Sequence, residues 1–421
     1  MTVRPFTPTQ EPPDDLDRRT VGRESSLAVL AERLHLAATT RTRAHTLLVG
    51  PRGTGKTHLI EAALHRAKAD PATAAGLAIA RLPEDAMGIA SYTDLVQEMA
   101  TSLGAVVARR HDAGALERAV MDVAGDRTVV AVIENLDRVF DAIDLSGQRD
   151  LRSWVETSGR LFLLTGTPAL FPAVRDRGHP WHGGFIETPI EELSSDDGRE
   201  LLALLAAERG AGDLANALRG DLGAARVRAM SHLTGGSPRL WMVLSECLTL
   251  DSLNELVPAI EDLIESMTPY YQSLLFDLPP SQQAIIRQLA RGPAGARTAA
   301  EIAVSTGQSP QTVSKALGVL KARRLVRDLK LSQGDQRRTW YELREPMLRH
   351  HFQWRATDGD QLRLVVNLLR DWYEPGPLRQ SLRPPVDDPG GLMTLLARAR
   401  AGDDEAMIQL PAELRPLATH N

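Results

Sequence analysis

The 421-residue chain has room for about two to four domains, each with its own core. A net charge of -5 and a pI near 6.2 exclude a protein that is basic throughout, so any nucleic-acid contact requires a local patch. A single cysteine, Cys247, permits no internal disulfide. No apolar run reaches roughly 18 residues and no apolar leader opens the chain, which predicts a cytoplasmic protein without membrane contact.

In chain order, residues 1–18 carry Pro5, Pro8, Pro12 and Pro13 beside Asp14, Asp15 and Asp17, and read as a disordered leader. Residues 19–192 alternate helix and strand. A helix running to about Leu36 precedes a short buried strand, Thr46 to Val49, and a second strand is predicted over Gly76 to Leu82. Helices over Ser91 to Leu103 and Ala113 to Ala124 lead to three more strands, Thr128 to Ile133, Arg160 to Leu164 and Phe185 to Ile190. Continuous apolar strands of this sort suit a parallel sheet covered on both faces, hence a doubly wound α/β domain.

From residue 193 the strand pattern stops. Ser194 to Asp197 caps a helix running to Arg209, and further helices to about Met267 predict an all-helical domain over 193–270. Residues 271–355 form a third domain, and residues 356–421, with a helix over Gln361 to Trp372, a C-terminal helical extension.

The chemistry concentrates in Gly50-Pro51-Arg52-Gly53-Thr54-Gly55-Lys56-Thr57, which fills the phosphate-loop pattern without substitution. Glycines let successive backbone N–H groups face phosphate oxygens, Lys56 neutralises the β and γ charge, and the Thr57 hydroxyl reaches Mg²⁺. The strand before and the helix from His58 onward place this loop at a helix N-terminus, where the dipole favours anions. ATP and Mg²⁺ are the expected cofactors, with His58 counted among the nucleotide-side residues.

The strand over Thr128 to Ile133 ends in Glu134-Asn135-Leu136-Asp137, where a phosphate-loop ATPase usually places Asp for Mg²⁺ and then Glu to polarise water. Glu134 still serves a metal. Asn135 orients a nucleophile but cannot take its proton, which predicts slow hydrolysis. Thr165, ending the next strand, is a candidate donor beside the γ-phosphate, with a plain strand-ending turn as the rival reading. In Gly235-Gly236-Ser237-Pro238-Arg239, Ser237 caps a helix that Pro238 starts. Arg239 therefore opposes the helix dipole, which suits a phosphate contact better than a plain surface arginine.

Residues 281–345 carry 12 Lys or Arg against 5 Asp or Glu, the local basic patch. Thr298-Ala299-Ala300-Glu301 is a capping box, Ala303 to Gly307 has helix-turn-helix spacing, and Ser309-Pro310 starts a second helix. Val313, Ala316, Leu317 and Leu320 face inward, leaving Gln311, Thr312, Ser314, Lys315, Gly318 and Lys321 outward. Strands over Leu325 to Leu331 and Arg338 to Leu343, with Arg337 and Arg338 flanking the hairpin tip, complete a winged helix. Double-stranded DNA is the expected partner: Gln311 and Thr312 as base-edge readers, Ser314 beside them, and Lys315, Lys321, Arg337 and Arg338 as phosphate contacts. Winged helices also serve as protein-docking or intramolecular clamp modules.

Together these features resemble the AAA+ ATPases of the origin-recognition and Cdc6-like branch over about residues 19–355. The resemblance implies a phosphate-loop α/β domain, a helical lid and a winged helix. It makes Val21-Gly22-Arg23-Glu24 the adenine-side motif, with Val21 and Arg23 at the cofactor, Thr165 a first sensor and Arg239 a second. It departs at Glu134-Asn135, where that branch has Asp-Glu. It also implies a homo-oligomer with a trans-acting arginine, for which Arg175 and Arg177 are both candidates.

The sequence thus predicts an ATP-controlled DNA-binding ATPase. The alternatives are a signalling switch like the STAND branch, with the winged helix folded back as a clamp and residues 356–421 contacting a protein partner, or a motor with rapid turnover, against which Asn135 argues.

Overall fold

The computed structural model describes residues 8–83, 88–106, 112–250, 256–291, 297–329, 339–345, 348–349 and 351–352. The chain divides into two compact units, one ending at Glu191 and the other beginning at Glu192. Among the described residues no helix is long and apolar enough to cross a membrane.

The first unit begins with a single turn, Pro8–Gln10, and α1, Pro13–Arg18. The disordered leader expected over residues 1–18 is corrected here from residue 8 onward. Pro13 starts α1, Asp14 and Asp15 occupy its first turn where the dipole favours them, and Leu16 is buried in the core. Proline and acidic residues together suggested disorder. They equally suit a helix start, and one well-placed leucine decides between the two.

Next come α2 (Glu24–Thr39), β1 (Thr46–Val49), α3 (Lys56–Ala69), α4 (Pro71–Gly76) and β2 (Leu77–Arg81). They lead into α5 (Tyr92–Ser102), α6 (Ala113–Ala124), β3 (Thr128–Ile133), α7 (Leu136–Ala142) and α8 (Asp144–Ser158). The unit closes with β4 (Leu161–Thr167), α9 (Pro172–Arg175) and β5 (Ile186–Pro189). The strands form one parallel sheet in the order β2-β3-β4-β1-β5. Every residue of β1, β3 and β4 is buried, because helices cover both faces. One face packs Leu47, Ala131 and Leu163 against α5, α6 and α8, and the other packs Leu48, Val130 and Phe162 against α2 and α3. β1 thus stands between two neighbours, and the loop that leaves its carboxyl end sits where open α/β sheets bind ligands.

The second unit begins with α10 (Ser195–Glu208), α11 (Gly212–Arg219), α12 (Asp221–Thr234), α13 (Pro238–Cys247) and α14 (Leu256–Phe276). The α10 capping box is formed by Ser194 and Asp197. Trp241 of α13 is fully buried against Gly198 of α10. The winged helix follows as α15 (Pro280–Arg291), β6 (Arg297–Thr298), α16 (Ala299–Thr306), α17 (Pro310–Ala322), β7 (Val326–Leu329) and β8 (Trp340–Leu343). Its three strands are antiparallel in the order β6-β8-β7. α14 runs through Pro269 and across the division expected between residues 270 and 271, so the lid and the winged helix share one helix. The hairpin tip with Arg337 and Arg338, and the extension over 356–421, lie outside the described residues.

Candidate nucleotide site and winged helix

The loop between β1 and α3 has the backbone that its glycines allow. Gly53 and Gly55 adopt φ of 86° and 87°, the left-handed region that other residues rarely enter. At Gly50 a Cβ would lie 2.6 Å from the Ile190 carbonyl oxygen, so only glycine fits there. Lys56 opens α3 and its Nζ donates to the carbonyls of Gly50 (2.6 Å) and Pro51 (2.9 Å), which folds the ammonium over the start of the loop. Arg52 is exposed, Pro51 and Thr57 are half-buried, and Thr54 is buried.

Across the sheet, the Thr57 hydroxyl donates to the carboxylate of Glu134 at the end of β3. That side chain is only 7% exposed, and Arg81 lies 3.9 Å from it while also bonding Glu61 at 2.8 Å. A hydroxyl and a carboxylate side by side are hard oxygen donors of the kind that Mg²⁺ accepts together with phosphate oxygens, so the residues fit this ion. Asn135 is half-buried at the N-cap of α7. At Gly166 a Cβ would lie 3.0 Å from the Glu134 carbonyl and 3.7 Å from Cε of Lys56, so β4 reaches this cluster because it lacks a side chain there.

Thr165 is fully buried and its hydroxyl donates to the Thr46 carbonyl at 2.9 Å, stitching β4 to β1. Two residues on, the Thr167 hydroxyl donates to the Ala169 carbonyl at 2.9 Å and its carbonyl accepts from the Gly50 N–H at 3.2 Å, while burial raises the pKa of Asp137. On the opposite flank, Arg23 donates to the carbonyls of Thr54 (3.4 Å) and Glu191. His58 meets the Thr20 hydroxyl at 3.0 Å, and burial lowers its pKa to about 4. These bonds fasten the Val21 to Arg23 segment to the phosphate loop and its helix.

In the second unit Arg239 is exposed in the first turn of α13, its guanidinium 5.2 Å over the ring of Tyr270. Gly236, at φ 77°, allows the turn before α13 to close on Leu193, whose N–H donates to the Gly236 carbonyl at 2.8 Å. In the winged helix, Thr298 and Glu301 form the capping box and Ser309 caps α17 through the Thr312 N–H. Val313, Ala316, Leu317 and Leu320 are buried, while Gln311, Thr312, Ser314, Lys315 and Lys321 are exposed. Lys321 pairs with Asp328 at 2.8 Å.

A model of the AAA domain matches residues 39–174, and one of the MarR family matches residues 276–338. The chain carries an AAA domain followed by a MarR-type winged helix. Among solved structures it is similar to the Walker-type ATPase PABY2304 of Pyrococcus abyssi, at 15% identity over 79% of this chain and 95% of that one, with a TM-score of 0.56. It is also similar to the ORC2 protein of Aeropyrum pernix, solved as ADPNP-ADP complexes, at 14% identity over 83% and 94%, with a TM-score of 0.54. These likenesses show a fold shared with those structures across most of the chain. No curated protein sequence matches it.

The AAA domain brings together Lys56, Thr57 and Glu134, with Arg23 and His58 at its flank. The candidate arginine fingers are both exposed, and Arg175 pairs with Asp176 at 3.2 Å. Three residues of the AAA domain had no assigned role in the sequence reading. Arg81 is betrayed only by a charge at the end of an apolar strand, while Asp137 and Thr167 stand two residues beyond the positions that were singled out.

Proposed function

We propose that the protein is an ATP-binding, slowly hydrolysing AAA ATPase of the Orc/Cdc6-like kind that acts as a nucleotide-controlled DNA-binding switch. The observation that carries this reading is the loop of Gly53, Gly55, Lys56 and Thr57, joined through the Thr57 hydroxyl to Glu134. Lys56 and the backbone N–H groups hold the phosphates of ATP, Thr57 and Glu134 hold Mg²⁺, and Val21 and Arg23 border the base. Bound Mg²⁺ supplies charge neutralisation at the phosphates.

Asn135 supports slow turnover, since an amide orients water without accepting its proton. Thr165, or Thr167 beside it, is the sensor candidate in the AAA domain, and Arg239 the phosphate ligand contributed by the lid. The exposed face of α17 and its basic surroundings support DNA binding, with Gln311 and Thr312 at base edges and Lys315 on phosphate. Arg337 and Arg338 belong to the same proposal, as do self-association through Arg175 or Arg177 and a protein contact at 356–421.

A clamp reading, like that of STAND ATPases, draws support from two bonds: Tyr271 to Glu345 at 2.6 Å and Arg344 to Glu192 at 3.1 Å. DNA binding that responds to ATP favours the first reading, and an ATP-bound protein without DNA affinity favours the clamp. Calorimetric titration with ATP and Mg²⁺ tests the common foundation. Heat of binding is expected for the native protein and none for Lys56→Ala; no uptake by the native protein overturns both readings.

A further inference from the structure

We propose that Tyr271 is a positioning residue which couples Arg239 of the lid to the winged helix, through its own bond to Glu345 and through its neighbour Tyr270. The proposal rests on the reading of Arg239 as a phosphate ligand and of the protein as a switch.

Tyr270 and Tyr271 are consecutive in α14, with ring centroids 5.1 Å apart in an edge-on arrangement. The two rings face different partners. Tyr270 carries the Arg239 guanidinium at 5.2 Å, a cation–π distance. Tyr271 is fully buried, and its hydroxyl donates to Glu345 Oε1 at 2.6 Å. Glu345 lies two residues beyond β8, so this bond ends on the winged helix itself. The ring of His351 packs on Tyr271 with centroids 5.2 Å apart.

A second strut runs parallel to the first. Arg344, beside Glu345, bonds Glu192 at 3.1 Å, and the next residue, Leu193, bonds Gly236 in the turn that leads to Arg239. Burial raises the Glu345 carboxyl pKa to about 7, although the Tyr271 hydroxyl and then the Arg239 charge both act to lower it.

These contacts form a closed circuit from Arg239 through Tyr270, Tyr271, Glu345, Arg344, Glu192 and Gly236 back to Arg239. An arginine that leaves Tyr270 for phosphate removes a cation from this circuit, so the partners of Glu345 and the seating of β8 depend on where Arg239 is. Coupling of this kind needs a packed element whose state both ends bias, and the tyrosine pair provides one. A hydroxyl buried against a carboxylate is also costly to leave unpaired, which makes its contribution detectable.

The experiment measures DNA affinity by fluorescence anisotropy with and without ATP and Mg²⁺, together with calorimetric ATP affinity and the melting temperature of each variant. In the native protein the ratio of the two DNA affinities reports the coupling, on the order of 5-fold or more for linked sites. Tyr271→Phe keeps the packing and loses the hydroxyl, and Glu345→Ala loses the acceptor. Both are expected to bring the ratio to near one with ATP affinity unchanged. Glu345→Gln keeps an acceptor and is expected to retain a ratio above one.

A merely structural role would lower the melting temperature and both DNA affinities while leaving their ratio alone, and that result overturns the proposal. A native protein whose DNA affinity ignores ATP overturns the switch reading instead, and the proposal with it.

Discussion

The Thr57 hydroxyl donates to the carboxylate of Glu134, joining the first turn of α3 to the end of β3. Under the proposed function these two oxygens would hold Mg²⁺, which would supply charge neutralisation at the phosphates. Glu134→Gln is expected to leave Mg²⁺-free ATP binding within about 2-fold while removing most of the gain that Mg²⁺ confers, since a neutral amide oxygen is a weaker ligand for a hard cation. Calorimetric titration at two Mg²⁺ concentrations checks this. Equal Mg²⁺ dependence in both proteins would remove Glu134 from the metal site.

In the proposed function, slow hydrolysis rests on Asn135 standing where a proton acceptor would be. Replacing it with glutamate supplies a proton acceptor, and general-base catalysis is typically worth on the order of 10²-fold or more. Asn135→Glu should therefore raise steady-state ATP hydrolysis substantially without changing ATP affinity. Unchanged turnover with intact binding contradicts the assignment.

The AAA domain should lose stability in acid. His45 accepts the Leu163 N–H at 3.1 Å and sits among Phe162, Trp181 and Phe185. Burial first, then Arg152 and Arg43, lower its pKa from 6.5 to about 4, and His58 is lowered equally, chiefly by burial. The unfolded chain therefore binds protons that the folded one refuses between pH 6.5 and 4. The contribution of each histidine is complete above pH 6.5 and fades as the pH falls toward 4, a loss on the order of 3 kcal/mol apiece. Urea midpoints measured from pH 7.5 to 4.5 should decline, and less steeply in His45→Gln. A flat profile would show that the two rings are not held neutral.

In the lid, a Cβ on Gly198 would meet Cε2 of Trp241 at 2.5 Å. Gly198→Ala must push the indole aside, at about 1–3 kcal/mol for overpacking of a core. A lower melting temperature of the second unit is the expected result, read from the near-ultraviolet signal of tryptophan. An unchanged melting temperature would mean that Trp241 repacks freely.

Much of this architecture is legible in residue order, because period and punctuation agree locally. The helix over Ala113–Ala124 and the strand over Thr128–Ile133 fall where the apolar pattern puts them, and the Thr298 and Ser309 caps of the winged helix hold as read. α7 and α8 were not anticipated, and α1 was read as disorder, because short or polar helices owe their stability to tertiary packing more than to pattern. The phosphate loop was legible because backbone geometry dictates its glycines. Arg81 was not, because its partners Glu61 and Glu134 lie on other elements, and Asp137 and Thr167 were not, because residue order does not show the burial of either. Arg239 was found, but its seat on Tyr270 depends on a helix that begins well downstream.

The central claim is that ATP in the AAA domain governs DNA binding by the winged helix, and duplex-DNA binding followed by fluorescence anisotropy at two salt concentrations tests it most directly. The account predicts an affinity that changes on adding ATP and Mg²⁺ in the native protein and not in Lys56→Ala, with a salt slope that falls by about 0.9 in Lys315→Ala. Equal DNA affinity with and without ATP, in a native protein shown by calorimetry to be saturated with nucleotide, would contradict it.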